Sequence, residues 1–245
     1  MTEYTQWIKN EMVTETQQPT PPPVQEDTTT GRTMIVTMGI IGLLCAILIV
    51  VTYRTTFATI EDNKARYLEQ AVFEVLPDTR EKITFTVEGD ELRPLQPGEK
   101  AEVEYYAGYN DKHQLTGVAV PTEGQGFQDT LSILYGWSPK CHCIVGMKVL
   151  ESRETPGLGD RIETDPDFRA NFDALSVALN SDKTAIANPI TLVKHGKKTH
   201  PWEIDAISGA TISSRAVADM LHRSTVTVIP LLERNLATLE QEPRP

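Results

Sequence analysis

A run of small and hydroxylated residues near the end of the chain has the composition of a site for a phosphate group. It reads Asp-Ala-Ile-Ser-Gly-Ala-Thr-Ile-Ser-Ser over 205–214 and is followed by apolar residues at helical spacing. Gly209 permits a tight turn, and the hydroxyls of Thr211, Ser213 and Ser214 can cap the N–H groups of a helix that begins there. Those N–H groups and the helix dipole also favour a bound phosphate. The residues alone leave both interpretations open, a capping turn and an anion site.

Two upstream segments carry glycines where a flat ligand could approach the backbone. Residues 154–159 read Glu-Thr-Pro-Gly-Leu-Gly, and residues 124–127 read Gly-Gln-Gly-Phe. Glycine has no Cβ and so permits close approach, while the proline stiffens the first segment. Pro-Gly is also common in ordinary turns. The pattern therefore fits either a loop that packs against the ring of a planar ligand or an ordinary turn.

Together, these three segments resemble the signatures of a family of membrane-bound flavoproteins. The pattern Asp205-x-x-Ser208-Gly209-Ala210-Thr211 resembles its flavinylation motif, and the two glycine-containing segments precede it in the order and spacing of that family. Over residues 60–228 the chain is similar to the RnfG family, the G subunits of the Rnf ion-translocating electron-transport complex. A related family, the C subunits of the sodium-pumping NADH–quinone oxidoreductase, has the same motif and remains an alternative.

The resemblance implies a covalently bound cofactor. In the family, FMN is joined through a phosphoester to the final threonine of the motif, here Thr211, by a dedicated flavin transferase. Thr211 would then be a tether, with no catalytic residue in the chain and no metal. The other residues implied to bind the cofactor lie in the same motif and in the 154–159 segment: Asp205, Ser208, Gly209, Ala210, Ser213, Glu154, Thr155, Gly157 and Leu158.

The resemblance also implies a function as an electron carrier. The chain would pass electrons between other membrane subunits of a complex that couples electron flow between reduced ferredoxin and NAD to ion movement. It would not be a complete enzyme by itself. An alternative from another class is a cofactor-free binding module tethered to the membrane, in which the Ser-Gly-Ala-Thr turn is only a helix cap.

An uncharged apolar segment predicts one membrane-spanning helix. Residues 33–53 contain no charged side chain and are bounded by Arg32 and Arg54. At about 1.5 Å per residue they span roughly 30 Å, the thickness of a bilayer core. The family resemblance implies a bacterial inner-membrane protein with its C-terminal domain on the periplasmic side. Arg54, Lys64 and Arg66, which follow the span, favour the opposite orientation by the positive-inside rule.

The rest of the chain predicts an α+β domain over residues 79–230, which by the resemblance would be the FMN-binding domain. Residues 1–32, rich in Thr, Gln and Pro, predict a disordered tail, and residues 54–78 an amphipathic stalk helix that ends at Pro77. A C-terminal tail is expected over 231–245. Strands are expected near 83–87, 102–108, 114–120, 143–151 and 190–194, and helices from Asp165-Pro166 to Leu179 and over 212–229, the latter kinked or ended by Pro230.

Charge and cysteine content exclude further classes of protein. The net charge of −11, from 34 acidic and 23 basic residues, argues against a nucleic-acid binder. Three cysteines exclude a disulfide-rich scaffold. Cys141 and Cys143 flank His142 and could bind zinc, but a structural zinc site needs four ligands. We therefore expect both to be free thiols that pack as small apolar side chains.

Overall fold

The computed structural model describes residues 28–96, 98–99 and 101–241. The chain divides into two compact units, the first ending at Ala58 and the second beginning at Thr59. Helix α1 (Thr28–Val75) begins in the first unit, where its apolar side chains are exposed. Among the described residues it is the one helix long and apolar enough to cross a membrane, with a mean hydropathy of 3.0 in its most apolar 18-residue window. The predicted span, 33–53, lies within it, as a single-pass anchor requires.

The predicted disordered tail, 1–32, lies mostly outside the described residues. Residues 1–27 are not described, and residues 28–32 already belong to α1. The prediction was wrong for these last five residues, because the helix begins before the apolar stretch does. The polar and small residues before the apolar segment continue the same backbone hydrogen-bond pattern.

Seven antiparallel strands form the sheet of the second unit, in the spatial order β2-β1-β3-β4-β5-β6-β7. The strands are β1 (Glu81–Glu88), β2 (Glu91–Pro94), β3 (Tyr105–Tyr109), β4 (Leu115–Gln125), β5 (Thr130–Ser138), β6 (Cys143–Glu151) and β7 (Leu175–Ser176). A separate parallel pair joins β8 (Thr191–Val193) to β9 (Glu203–Asp205). The α+β class is confirmed, and the structure adds a central strand, β5, that was not predicted.

The end of α1 covers one face of this sheet. Ala71, Val72, Val75 and Leu76 are buried against strand residues such as Leu134. A Cβ added at Gly136 or Gly146 would lie 2.9 Å from backbone atoms of Val75, so these glycines permit the close approach of helix and sheet. The helix ends at Val75, shortly before Pro77, which cannot continue a helix.

The opposite face carries the larger core and a long helix, α4 (Thr211–Arg234). Val217 and Leu221 of α4 belong to the same buried cluster as Val118 and Tyr135 of the sheet. The Tyr135 hydroxyl shares a 2.8 Å hydrogen bond with the Ser224 hydroxyl. Burial raises the pKa of Tyr135, so this phenol stays protonated over the physiological range.

The helix predicted from Asp165 to Leu179 is much shorter in the structure. Asp165 caps α3 (Pro166–Arg169) by accepting hydrogen bonds from the N–H groups of Asp167 and Phe168, as its position before Pro166 predicts. A 3₁₀ turn (Ala170–Phe172) follows, after which Leu175 pairs with Ile144 as part of β7. Pairing with the open edge of β6 thus replaces the last helical turns. A further short helix, α2 (Arg161–Thr164), precedes α3.

The predicted C-terminal tail, 231–245, is instead largely helical. Helix α4 continues through Pro230 to Arg234, and α5 (Leu236–Gln241) follows; residues 242–245 lie outside the described residues. Proline removes one helical hydrogen bond, but Leu232 and Leu239 are fully buried and offset that loss. Asn235 fixes the end of α4 by accepting a 3.1 Å hydrogen bond from the N–H of Leu92.

Cys141 and Cys143 form a disulfide with a Cα–Cα distance of 5.1 Å. The expectation that they are free thiols packed as apolar side chains was therefore wrong. His142, between them, adopts a left-handed conformation with φ of 48°. The turn that joins β5 to β6 brings the two Cα atoms closer than the roughly 6.6 Å between alternate residues of an extended strand, well within the range found across disulfides.

Candidate functional site

A cleft of about 290 Å³ lies where the three glycine-containing segments meet. The turn after β4 forms one side, the 154–159 loop another, and the start of α4 the third. The cleft is lined by Phe127, Glu154, Thr155, Leu158, Gly159, Gly209, Ala210, Thr211, Ile212 and Ser213. Seven of the ten site residues predicted from the sequence are among these, so segments far apart in sequence converge as the motifs imply.

The start of α4 is open towards the cleft. Its N-cap residue, Ala210, has no side-chain oxygen and makes no side-chain capping hydrogen bond. Among the described residues, the cap therefore offers no side-chain acceptor to the first-turn N–H groups. Thr211 is exposed at the first helical position. An uncapped helix start with a hydroxyl beside it favours a phosphate, because the N–H groups and the helix dipole both attract negative charge.

Glu154 ties the three segments together beneath the cleft. Its side chain is buried, with the residue only 7% exposed. One carboxylate oxygen, Oε2, accepts a 2.6 Å hydrogen bond from the Ser213 hydroxyl. The other, Oε1, accepts a 2.6 Å hydrogen bond from the backbone N–H of Phe127. Glu154 thus holds the turn after β4 and the start of α4 to its own loop.

Two glycines make room for this carboxylate. A Cβ added at Gly126 would collide with Oε1 of Glu154 and lie 2.9 Å from the carbonyl oxygen of Asp129. A Cβ added at Gly159 would collide with Oε2 of Glu154 and lie 2.8 Å from the Ser213 hydroxyl oxygen. The glycines therefore serve the buried Glu154 carboxylate, whereas the sequence had suggested close approach to a ligand.

The turn before α4 is fixed by Ser214 and Arg161. Ser214 is fully buried; its hydroxyl accepts from the N–H of Ile207 at 3.2 Å and donates to the Ala210 carbonyl at 2.9 Å. Arg161 donates to the Ser208 carbonyl at 3.0 Å and forms a 2.6 Å ion pair with Asp165. Burial raises the pKa of Asp165, but the hydrogen bonds from Arg161 and from two backbone N–H groups outweigh it and lower that pKa overall.

Three of the predicted residues do not line the cleft. Asp205 instead accepts hydrogen bonds from the N–H groups of Gly196 and Lys197, at 2.8 and 3.4 Å, and so shapes a neighbouring basic loop. Ser208 faces a second, smaller cleft beside Arg161. Gly157 has a φ of 77° and open space around its Cα, so it serves the turn itself.

The rim of the cleft is apolar and was only partly predicted. Phe127, Leu158 and Ile212 all line it, although they are 58%, 54% and 56% exposed. Large exposed apolar side chains grouped around a cleft mark a binding surface. Leu158 was predicted, and Phe127 was quoted only as part of a motif. Ile212 was missed, because a residue next to the motif threonine has no distinguishing sequence signal.

Arg215 makes no hydrogen bond or ion pair with another described residue. Every other arginine within the described residues from 59 to 241 makes at least one. Arg215 is exposed and lies four residues after Thr211 on α4. Residues four apart lie on the same helix face, and long side chains lean towards the helix N-terminus. A free cation therefore stands one turn from the threonine at the open helix start.

These features fit a ligand with a phosphate and a flat ring. The helix start, Thr211 and Arg215 suit the phosphate, and the apolar rim suits the ring. A family model described as an FMN-binding domain matches residues 126–225, a range that contains every residue lining the cleft. The sequence motifs, the cleft and this family model therefore agree on the same three segments.

Two relatives resemble the chain over most of its length. The G subunit of the ion-translocating oxidoreductase complex of Methanosarcina acetivorans is 35% identical over 191 residues, covering 77% of this chain and 89% of the relative. The protein of the same name from Shewanella piezotolerans is 28% identical over 200 residues, covering 77% of this chain and 85% of the relative. The similarity thus extends well beyond the FMN-binding domain.

Solved structures show the same fold at lower identity. The crystal structure of Shewanella oneidensis NqrC superposes with a TM-score of 0.55 at 17% identity, covering 74% of this chain and all of that one. The C subunit of the Na⁺-translocating NADH–quinone reductase from Parabacteroides distasonis gives a TM-score of 0.54 at 20% identity, covering 72% of this chain and 96% of that one. At such identities the likeness shows the fold alone.

Proposed function

The chain belongs to the RnfG family, the G subunits of ion-translocating oxidoreductase complexes, and from this premise we propose that its FMN is joined to Thr211 through a phosphoester. Membership of the family and the FMN-binding domain make the chain an FMN-dependent electron-transfer subunit of such a complex. The observation that carries the proposal is the exposed Thr211 at an open helix start on the rim of the cleft.

The surrounding residues have distinct roles in holding the cofactor. The N–H groups at the start of α4 and the Arg215 guanidinium stabilise the negative charge of the phosphoester. Phe127, Leu158 and Ile212 exclude water from the ring, and Glu154 keeps their segments in register. Bound FMN supplies the redox chemistry, accepting and donating electrons, while the chain supplies position and electrostatics. A covalent tether prevents loss of the cofactor from so open a cleft.

The attachment requires a partner enzyme. The one carboxylate that lines the cleft beside Thr211 among the described residues, Glu154, already accepts hydrogen bonds from Ser213 and Phe127. We therefore assign the transfer of FMN to a separate flavin transferase that recognises the exposed turn. The electron partners are other proteins of the complex, with ferredoxin and NAD at its two ends. The turn's exposure supports the first assignment, and the family supports the second.

The test of the attachment site is the intact mass of the full chain after co-expression with a flavin transferase. Wild type should gain one FMN less a water, and Thr211→Ala should gain nothing. Thr227→Ala is the matched control, because Thr227 is also exposed on α4 but lies about four turns away. Flavin on Thr211→Ala, or a flavin peptide that maps to another residue, would refute the assignment.

We also propose that the second unit lies outside the cytoplasm, on the periplasmic side in a bacterial host. The Cys141–Cys143 disulfide supports this orientation, because disulfides persist in oxidising compartments and are rare in the cytosol. The bases at Arg54, Lys64 and Arg66 favour the reverse, but a bias of so few charges around a single helix is small. The disulfide is the stronger indicator.

Reporter fusions to the C-terminus test the orientation. Alkaline phosphatase fused after Pro245 should be active, and green fluorescent protein at the same position should be dark, because the first folds only outside the cytoplasm and the second only within it. The same two reporters at the N-terminus should give the opposite pattern. A bright C-terminal fluorescent fusion with an inactive phosphatase fusion would reverse the assignment.

A further inference from the structure

A second redox-capable group lies at the opposite end of the sheet from the cleft. The disulfide between Cys141 and Cys143 sits in the turn between β5 and β6, with Cys141 exposed and Cys143 only 5% exposed. Strand β6 runs from Cys143 to Glu151 over nine residues, which separates this turn from the 154–159 loop by about 30 Å. The disulfide is therefore no part of the FMN site.

This disulfide contributes little to the stability of the overall fold. The loss of chain entropy that a disulfide imposes on the unfolded state grows with the length of the loop it closes, and this one joins residues only two positions apart. The two strands that flank it are already paired from Ser138 and Cys143 onwards. Its effect is therefore local, and the residue it constrains most directly is His142.

His142 is held in contact with the end of α4. Its Nδ1 lies 3.7 Å from Oε2 of Glu233, whose side chain is only 4% exposed. Both atoms are buried and neither has a hydrogen-bond partner among the described residues. The other carboxylate oxygen of Glu233 forms a 2.7 Å ion pair with Lys183. The carbonyl of His142 accepts a 3.0 Å hydrogen bond from the N–H of Val177.

Three segments thus meet at one buried carboxylate: the disulfide turn, the loop over 177–187 and the end of α4. The left-handed conformation of His142 places its imidazole there. That conformation is uncommon for residues other than glycine, and the surroundings of such a residue help to hold it. For His142 these include the covalent bond between its two neighbours and the hydrogen bond that its carbonyl accepts from Val177.

We propose that Cys141–Cys143 is a thiol–disulfide exchange site, which acts on an external dithiol and whose redox state controls the contact between this turn and the end of α4. A thiolate of the dithiol attacks Sγ of Cys141, which belongs to the exposed residue of the pair, the bond between the two protein sulfurs breaks, and Cys143 leaves as a thiolate that takes up a proton. The second thiolate of the dithiol then attacks the dithiol sulfur that is bonded to Cys141. Cys141 leaves as a thiolate that takes up a proton.

The dithiol alone supplies the electrons and protons that the exchange requires. The protein gains two electrons and two protons, and the partner becomes a disulfide. Once the two thiols are free, His142 is released from its constraint and Glu233 loses its imidazole neighbour. We expect the 177–187 loop and the end of α4 to become more mobile. None of this depends on FMN or on Thr211.

The chemistry is tested on the full chain in detergent, in a Cys45→Ala background where the pair supplies the only thiols. The protein is equilibrated in mixtures of reduced and oxidised dithiothreitol without denaturant, quenched in acid, alkylated and weighed. We expect no label before reduction and the addition of two labels together as the mixture becomes more reducing. Labelling only after unfolding, or two labels on the protein as isolated, would refute an exchange site.

The conformational consequence is tested by hydrogen exchange on the same two states. We expect several-fold faster amide exchange in peptides covering 177–187 and 228–241 after reduction, with peptides from β3 and β4 unchanged. His142→Ala in the oxidised protein should reproduce the change without reduction. Unaltered exchange in the fully reduced wild type would overturn the proposed control of α4, and that measurement needs no variant to fold.

Discussion

The carboxylate of Glu154 accepts a 2.6 Å hydrogen bond from the hydroxyl of Ser213, although 59 positions separate the two residues. Ser213 lies two residues after Thr211, so this bond fixes the proposed tether relative to the loop that carries Leu158. In the proposed site, one buried carboxylate therefore positions both the segment that would hold the phosphate and the loop that would face the ring. Because both of its oxygens accept hydrogen bonds from the protein, we expect Glu154 to act as a positioning residue in the proposed site; the cofactor contact that the family resemblance implies stays a prediction.

Replacing Glu154 should destabilise the site without removing the tether. Glu154→Ala leaves the buried Ser213 hydroxyl without its acceptor, at a cost of about 1–3 kcal/mol, and also removes the acceptor of the Phe127 N–H. Glu154→Gln retains an oxygen for Phe127 and can donate to Ser213, so it should cost much less. We expect the thermal midpoint of unfolding to fall clearly for Glu154→Ala and slightly for Glu154→Gln, with FMN attached to both. Equal midpoints for the two variants would contradict the role.

The sequence predicted the segments of the site but not how they meet. Motif residues located the turn at 205–211 and the loop at 154–159, and both line the cleft or support it. The pairing of Glu154 with Ser213 and the exposed apolar rim depend on tertiary packing, which local spacing does not encode. The disulfide was missed for a related reason: it lies in the tight turn between β5 and β6, and the pairing of Ser138 with Cys143 that closes this turn was not predicted.

The elements were predicted best where one face is buried and one is exposed. Strand β1 alternates apolar Ile83, Phe85 and Val87 with polar residues in its sequence, and α4 has apolar residues at helical spacing, so β1 and the start of α4 were found near their observed bounds. Strand β5 is central and buried along nearly its whole length, so it has no alternating pattern to detect. The helix expected from Asp165 ended early because Leu175 gains strand pairing with Ile144, a contact between residues 31 positions apart.

We expect the Arg215 guanidinium to stabilise the phosphate of FMN and not to interact with the flavin ring. Arg215→Gln removes the free cation one turn from Thr211 and should slow FMN incorporation by the transferase several-fold, because the phosphoester loses a charged partner. Arg223→Gln is the matched control on the same helix. The time course of the flavin mass increase gives the rate, and equal rates for the two variants would remove Arg215 from the site. Thermal unfolding of the flavin-free proteins checks that both variants fold alike.

Acid should destabilise the turn before Thr211, because it protonates Asp165. The folded-state pKa of Asp165 is lowered, so its stabilising contribution is present above its unfolded pKa of about 3.9 and is lost as pH falls through the folded value. Protonation frees Arg161, which also holds the Ser208 carbonyl. The midpoint of thermal unfolding should therefore fall from about pH 5 to about pH 3 more steeply in wild type than in Asp165→Asn. Asp167→Asn, without the Arg161 contact, should follow wild type.

The apolar rim should set the properties of the bound flavin rather than its attachment. Phe127→Ala and Leu158→Ala remove side chains that are more than half exposed, so folding should be little affected and the flavin mass increase should stay complete. More water would then reach the ring, and the added polarity stabilises charge that develops on reduction. We expect a higher midpoint potential and faster quenching of flavin fluorescence by iodide in both variants. Val226→Ala is the control, because Val226 is an exposed apolar residue of α4 outside the cleft. Potentials and quenching identical to those of the control would place the ring elsewhere on the domain.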